Sequence, residues 1–223
     1  MPSVKQQLTT PAVPDLPNPQ ESYDRLTVAQ TNAALRTFFL KVINAFTALL
    51  GPVGGKYINN PYGAFQDTTD QTATANTATV MTFNTTDFAN GVSVVTSGGK
   101  ASRLTVAQAG IYNLQFSAQF QNTDNQLHDV SIWLRQDASG AGVDVAGSTG
   151  FVSVPNSHGG IDGHTIVGWN YYVTLNANDF VEIWWSTPST QVTIQAYAAG
   201  TSPTRPSTAS VVATLSFVSN LQA

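Results

Sequence analysis

A chain of 223 residues with 9 Lys and Arg against 13 Asp and Glu carries a formal charge of -4, and only 10% of its residues are charged, where soluble domains run at roughly 25%. Hydrophobic residues at 42% and aromatics at 10% are ample for a packed core, which excludes disorder over most of the length. So few cations leave no electrostatic footprint for nucleic acid, and the absence of cysteine excludes disulfide frameworks, thiolate metal sites and cysteine nucleophiles.

Residues 1–17 hold Pro11, Pro14 and Pro17 among polar neighbours, with Leu16 between the last two. They lack the charged start and continuous apolar run of a secretory signal and read as an extended N-terminal arm. Residues 18–51 are built as a helix. Asn18 can cap it, Pro19 suits the first helical position, and Glu21 can reach back to close a capping box. Leu35, Phe38, Phe39, Val42, Ile43, Phe46, Leu49 and Leu50 recur at steps of three and four and place apolar groups on more than one side. One domain face would not cover them all, so burial of Phe38, Val42, Phe46 and Leu49 against other copies of the helix is expected, with packing on their own domain as the alternative. The most apolar stretch, 37–50, is too short to cross a bilayer, and no membrane insertion is expected. A Gly-rich linker follows over 52–61.

From there the period changes from 3.6 to 2. Strands are expected over 77–83, 92–95, 102–106, 111–120, 130–135, 151–154, 167–175, 181–185, 191–197 and 211–217, separated by Gly, Asn, Asp and Pro turns. With no helix between them, they argue for an antiparallel β-sandwich of the jelly-roll kind over 62–223. Trp133, Tyr172 and Trp184 stand opposite the main apolar face of their strands. That second face needs a cover: a neighbouring subunit, which is favoured, a sugar stacked on the indoles, or long loops of the same domain.

Catalytic patterns are missing. No G-x-S-x-G elbow is present, the carboxylates lie mostly in turns, and the glycines Gly140, Gly142 and Gly147 have neither the lysine nor the helix of a phosphate-cradling loop. No catalytic residue and no cofactor is assigned. Asn156, His158, Asp162 and His164 share one glycine-rich loop and form a possible ligand site, but their spacing matches no zinc or calcium pattern.

The order of the strands resembles the trimeric jelly rolls of the complement globular-head and tumour-necrosis-factor-like superfamily. Gly110-Ile111-Tyr112 looks like the family's G-x-Y strand, residues 130–135 (VSIWLR) like the strand after it, and residues 175–185 (LNANDFVEIWW) like its L-x-x-G-D-x-V turn. In that turn Asn178 stands where glycine is usual, a tolerated replacement because Asn enters the left-handed region. Leu215-Ser216-Phe217 resembles the closing strand. With the segment 16–39 (LPNPQESYDRLTVAQTNAALRTFF), the chain is similar to structural proteins of marine and environmental tailed bacteriophages. The resemblance implies a homotrimer on the outer surface of a virion, bound to capsid, tail or adaptor proteins through Pro11, Pro14, Leu16, Pro17 and the helix. It would act as capsid decoration or a short head fibre, without enzymatic activity. A tail fibre that recognises a host-surface glycan or protein through head loops is the alternative, disfavoured by the absence of a long heptad stalk.

Overall fold

The computed structural model describes residues 13–16, 18, 21–50, 60–138 and 140–221, the side chains of 48–50 and 138 excepted. The chain divides into two compact units, Met1–Asn59 and Asn60–Ala223.

The first unit is built on one helix, α1 (Arg25–Leu50). It starts six residues later than the capping pattern at Asn18 suggests. Asp24 is the cap: its carboxylate accepts from the backbone N–H of Leu26 at 3.1 Å and of Thr27 at 2.9 Å and from the Thr27 hydroxyl at 2.6 Å, while its carbonyl takes the N–H of Val28. A carboxylate that satisfies two of the first orphan N–H groups and complements the positive helix terminus is a stronger start than Asn18. Pro19 lies outside the described residues.

The second unit is a sandwich of two antiparallel sheets. In chain order its strands are β1 (Tyr62–Asp67), β2 (Thr79–Val80), β3 (Thr85–Asn90), β4 (Val92–Ser97), β5 (Lys100–Val106), β6 (Gly110–Asn122), β7 (His128–Ala138), β8 (Ala141–Asp144), β9 (Gly150–Val154), β10 (Gly163–Leu175), β11 (Phe180–Ser186), β12 (Val192–Ile194), β13 (Gly200–Thr201), β14 (Thr204–Arg205) and β15 (Val211–Ser219). One sheet runs β10-β6-β15-β1-β3, with β12 also on β6; the other runs β4-β5-β11-β7-β8, with β2 on β11 and β9 on β7. Strands distant in sequence are neighbours: β15 lies between β1 and β6, and β11 between β5 and β7. That interleaving of two sheets is the jelly-roll order, and it makes the fold mainly β with one preceding helix.

The alternation of β6 (GIYNLQFSAQFQN) sends Tyr112, Leu114, Phe116, Ala118 and Phe120 into the space between the sheets, where all are buried. They meet Val130, Ile132 and Leu134 of β7 and Val181, Ile183 and Trp185 of β11. Phe120 and Trp185 meet edge to face with centroids 5.6 Å apart. Each such large side chain contributes on the order of 1.5–3 kcal/mol by leaving water.

Beyond the expected strands the structure adds β1, β3, β8 and the β13-β14 hairpin. β1 (YGAFQD) hides its period because Gly63, Ala64, Phe65 and Asp67 are all buried, with a register shift between Ala64 and Phe65. β3 is an exposed edge strand, and β8 (AGVD) is glycine-rich and short. The turn into β11 matches its sequence: Asn178 sits at φ 70°, and the Asp179 carboxylate accepts from the Asn176 N–H at 2.8 Å.

Candidate functional site

Two surfaces of the molecule are unlike an ordinary soluble exterior. The first is on the helix. Its half-buried positions, Thr27, Thr31, Ala34, Leu35, Phe38, Val42 and Ala45, form one stripe. Beside it Phe39, Ile43 and Phe46 are 56–57% exposed. Val28, Asn32, Leu35, Phe39, Val42 and Phe46 alternate in steps of four and three along this side, and Leu49 continues the series in sequence. That is the period of a coiled-coil seam, with Asn32 as its one polar position. Of the helix residues expected to be shared between subunits, Val42 and Phe46 lie on the seam. Phe38 borders it on the half-buried stripe, next to Leu35 and Val42. The side chain of Leu49 lies outside the described residues.

Phe38 lines a cleft of about 370 Å³ together with Ala33, Ala34, Thr37 and Lys41 of the helix and Val13, Pro14 and Asp15 of the arm. The described part of the arm therefore runs beside the helix. Pro14 is half-buried and Leu16 exposed, while Pro11 and Pro17 lie outside the described residues.

The second surface is the outward face of β10, β6 and β15. These three strands contain no Asp, Glu, Lys or Arg. Their register sets side chains in rows: Tyr172, Asn113 and Ser216; Asn170, Gln115 and Thr214; Gly168, Ser117 and Val212; Ile166 and Gln119. Asn113 donates to Asn170 across the strands at 2.8 Å. Tyr172 is 68% exposed and Ile166 67%. A face of amides, hydroxyls and isolated large apolar groups, without charge, costs less to remove from water than a charged one, provided its polar groups find hydrogen-bond partners.

Trp133 and Trp184 are placed on the other sheet, on the opposite side of the sandwich from Tyr172, and face each other across the β7-β11 pair. They stand beside a charged row. Arg135 faces Glu182 on β11 and Asp144 on β8, and the β5-β11 register continues to Arg103 opposite Glu182. The indole N–H of Trp133 donates to Asp144 at 3.0 Å, that of Trp184 to Glu182 at 3.1 Å, and the Arg135 guanidinium lies 4.1 Å above the Trp184 ring. Both indoles thus have partners within their own domain. The row was missed in the sequence because its members are up to 79 positions apart; the available signal was the charged residue at an outward position of three alternating strands.

The loop residues do not converge. His158 is exposed on a turn whose ends, His158 and Ile161, exchange two backbone hydrogen bonds, and the Asn156 side-chain amide donates to the carbonyl of its neighbour Ser157. Asp162 accepts from Gln121, and His164 Nδ1 lies 3.1 Å from the Tyr197 hydroxyl. Burial, then the carboxylates of Asp162 and Asp70, push the Tyr197 phenol above its usual range. His128 Nε2 lies 2.7 Å from the Asp124 carboxylate, a contact that holds the Asp124 carboxyl below the usual range. Among the described residues no three His, Asp or Glu are grouped to hold a metal ion, and no helix is long and apolar enough to cross a membrane.

No protein-family model matches the chain, and no curated protein is similar to it.

Proposed function

We propose that the protein is a non-enzymatic structural component of a tailed-bacteriophage virion, a homotrimer on the outer surface of the particle. The arm and helix anchor it to other virion proteins and the jelly-roll head forms the exposed part, as capsid decoration or a short head fibre. The observation that carries this reading is a pair of surfaces: a helix seam in four-three steps whose Phe39 and Phe46 are exposed among the described residues, and a sheet face whose three strands contain no Asp, Glu, Lys or Arg. Subunit association buries both in a chain that has no disulfide to stabilise it. The jelly-roll order and the Asn178 turn support the resemblance to trimeric heads.

Light scattering of the purified chain tests the oligomer: a mass about three times 23.6 kDa is expected, and a stable monomer at micromolar concentration overturns it. Counting copies per particle then separates the roles, with hundreds for decoration and a few trimers for a fibre. The second reading, a tail fibre that recognises a host-surface glycan or protein, is supported by the exposed hairpin turn at 158–161. Particles that lack the protein and still adsorb normally to host cells would refute it.

A further inference from the structure

The head has four cations in its sequence, Lys100, Arg103, Arg135 and Arg205. Three of them, all but Arg205, line a single cavity of about 320 Å³ on the outward side of the β5-β11-β7 face. In a domain whose sequence holds only one other Lys or Arg, this concentration of cations calls for a reason. The simplest one, a cross-strand staple of Arg103, Glu182, Arg135 and Asp144, accounts for only part of the geometry. A staple would present the two-pronged edge of each guanidinium to a carboxylate. Here each arginine is held from its other parts. The Arg103 guanidinium carbon lies over the Phe180 ring, 3.8 Å from its centre, with Nε 3.4 Å from Glu182 and no hydrogen bond made there. Arg135 lies over Trp184 and gives Nε to Asp144 at 2.8 Å. Gly142 makes room for it, since a Cβ at that position would come within 2.7 Å of Arg135 Cδ. Among the described residues the Nη groups of both arginines have no protein acceptor, and Lys100 is exposed without an ion pair.

Charge and size then define the ligand. Three cations against the carboxylates of Glu182 and Asp144 leave one positive charge, which matches a single anionic group and gives no track for a polyanion. A cavity of about 320 Å³ is several times larger than a carboxylate or phosphate, so it has room for an uncharged body beside the anionic group. The walls offer hydroxyls at Thr79 and Ser97. Glu182 is buried and fixed by Ser102 at 2.8 Å and Trp184 at 3.1 Å, and it retains acceptor capacity beside the free Nη donors. Donor and acceptor side by side on a rigid sheet suit a hydroxyl that both gives and takes a hydrogen bond.

We propose that this cavity binds a carboxylated saccharide unit, its carboxylate on Lys100 and the arginine Nη groups and its ring hydroxyls on Glu182 and the neighbouring hydroxyls. The site lies within one protomer and does not rest on the trimer or on the virion.

The test is titration of the full chain with glucuronate, followed by the ¹H–¹⁵N signals of the four Trp indoles. Saturable shifts centred on Trp184 are expected, with glucose binding at least about tenfold more weakly. Lys100→Glu, at an exposed position that leaves folding intact, should weaken glucuronate about tenfold or more, and Arg205→Ala should leave it unchanged. The proposal is overturned if glucuronate gives no saturable shift, if glucose binds as well, or if Lys100→Glu keeps full affinity. Acetate or inorganic phosphate matching glucuronate would also overturn it, since the site would then take a bare anion and not a sugar.

Discussion

Replacing both Phe39 and Phe46 with serine tests whether the helix seam joins subunits. Full burial of a phenylalanine side chain stabilises by roughly 1.5–3 kcal/mol. With 56% and 57% of these residues still exposed, each has on the order of 1–1.5 kcal/mol left to gain from a partner. Two residues in each of three subunits give roughly 5–10 kcal/mol per trimer, and since every 1.4 kcal/mol is tenfold, the trimer constant weakens by about four to seven powers of ten. The concentration of half-dissociation follows the square root of that constant, so it rises by about two to three and a half powers of ten. Sedimentation equilibrium over a dilution series reads this directly. Leu40→Ser is the control, because Leu40 is 54% exposed but about 100° round the helix from Phe39. It should shift the midpoint by less than about tenfold. A double variant within about threefold of the parent, or an equal shift from Leu40→Ser, refutes the seam.

The remaining predictions concern stability and attachment. Asp67 is buried and accepts from the Thr69 N–H and hydroxyl, the Thr82 hydroxyl and the Asn84 amide at 2.6–2.9 Å. Asp67→Ala strands these donors and should destabilise the head by about 3–5 kcal/mol in urea unfolding; a loss below about 1 kcal/mol would show the network to be dispensable. The hydrogen bond from Arg135 is the main cause that holds the Asp144 carboxyl below its usual range, and that from His128 does the same for Asp124. A depressed carboxyl stabilises above the unfolded value of about 4 and loses that contribution as pH falls through the lower folded value. Melting temperature should therefore drop below pH of about 4, less steeply in Asp144→Asn, and an unchanged acid slope in that variant contradicts the assignment. At the other end, burial raises the Tyr112 phenol, whose hydroxyl donates to the Gln108 carbonyl at 2.7 Å. Its contribution is complete below the unfolded value of about 10 and is lost as pH rises through the folded value, so Tyr112→Phe should flatten the alkaline limb. Deleting residues 1–17 should leave a soluble trimer that no longer attaches to particles, as pull-down with purified particles would show; undiminished attachment refutes the docking role of the arm.

The sequence by itself determined what depends on local backbone geometry. Because side chains alternate along a strand, the pattern of residues 111–120 and of 181–185 was enough to say which of them point inward, and every inward residue there is buried. The left-handed turn at Asn178 was legible for the same reason, since it depends on one residue and its neighbours. Where local signals compete, only the folded chain decides: Asn18 and Asp24 can each cap a helix, and Asp24 prevails with two backbone N–H groups on its carboxylate. β1 carries no alternating pattern in its sequence because Gly63, Ala64 and Phe65 are all buried, which erases the alternation that a half-exposed strand shows. The two outer faces belong wholly to tertiary structure. Tyr172, Trp133 and Trp184 share one property in sequence, a position opposite the apolar face of their strands. Their fates diverge because β10 is laid beside charge-free β6 and β15, whereas β7 and β11 are laid beside β5 and β8, which bring Arg103 and Asp144. Alternation is a property of each strand alone and fixes which way a side chain points. What it then meets depends on strand order and register, which are set by pairing between segments far apart in the chain.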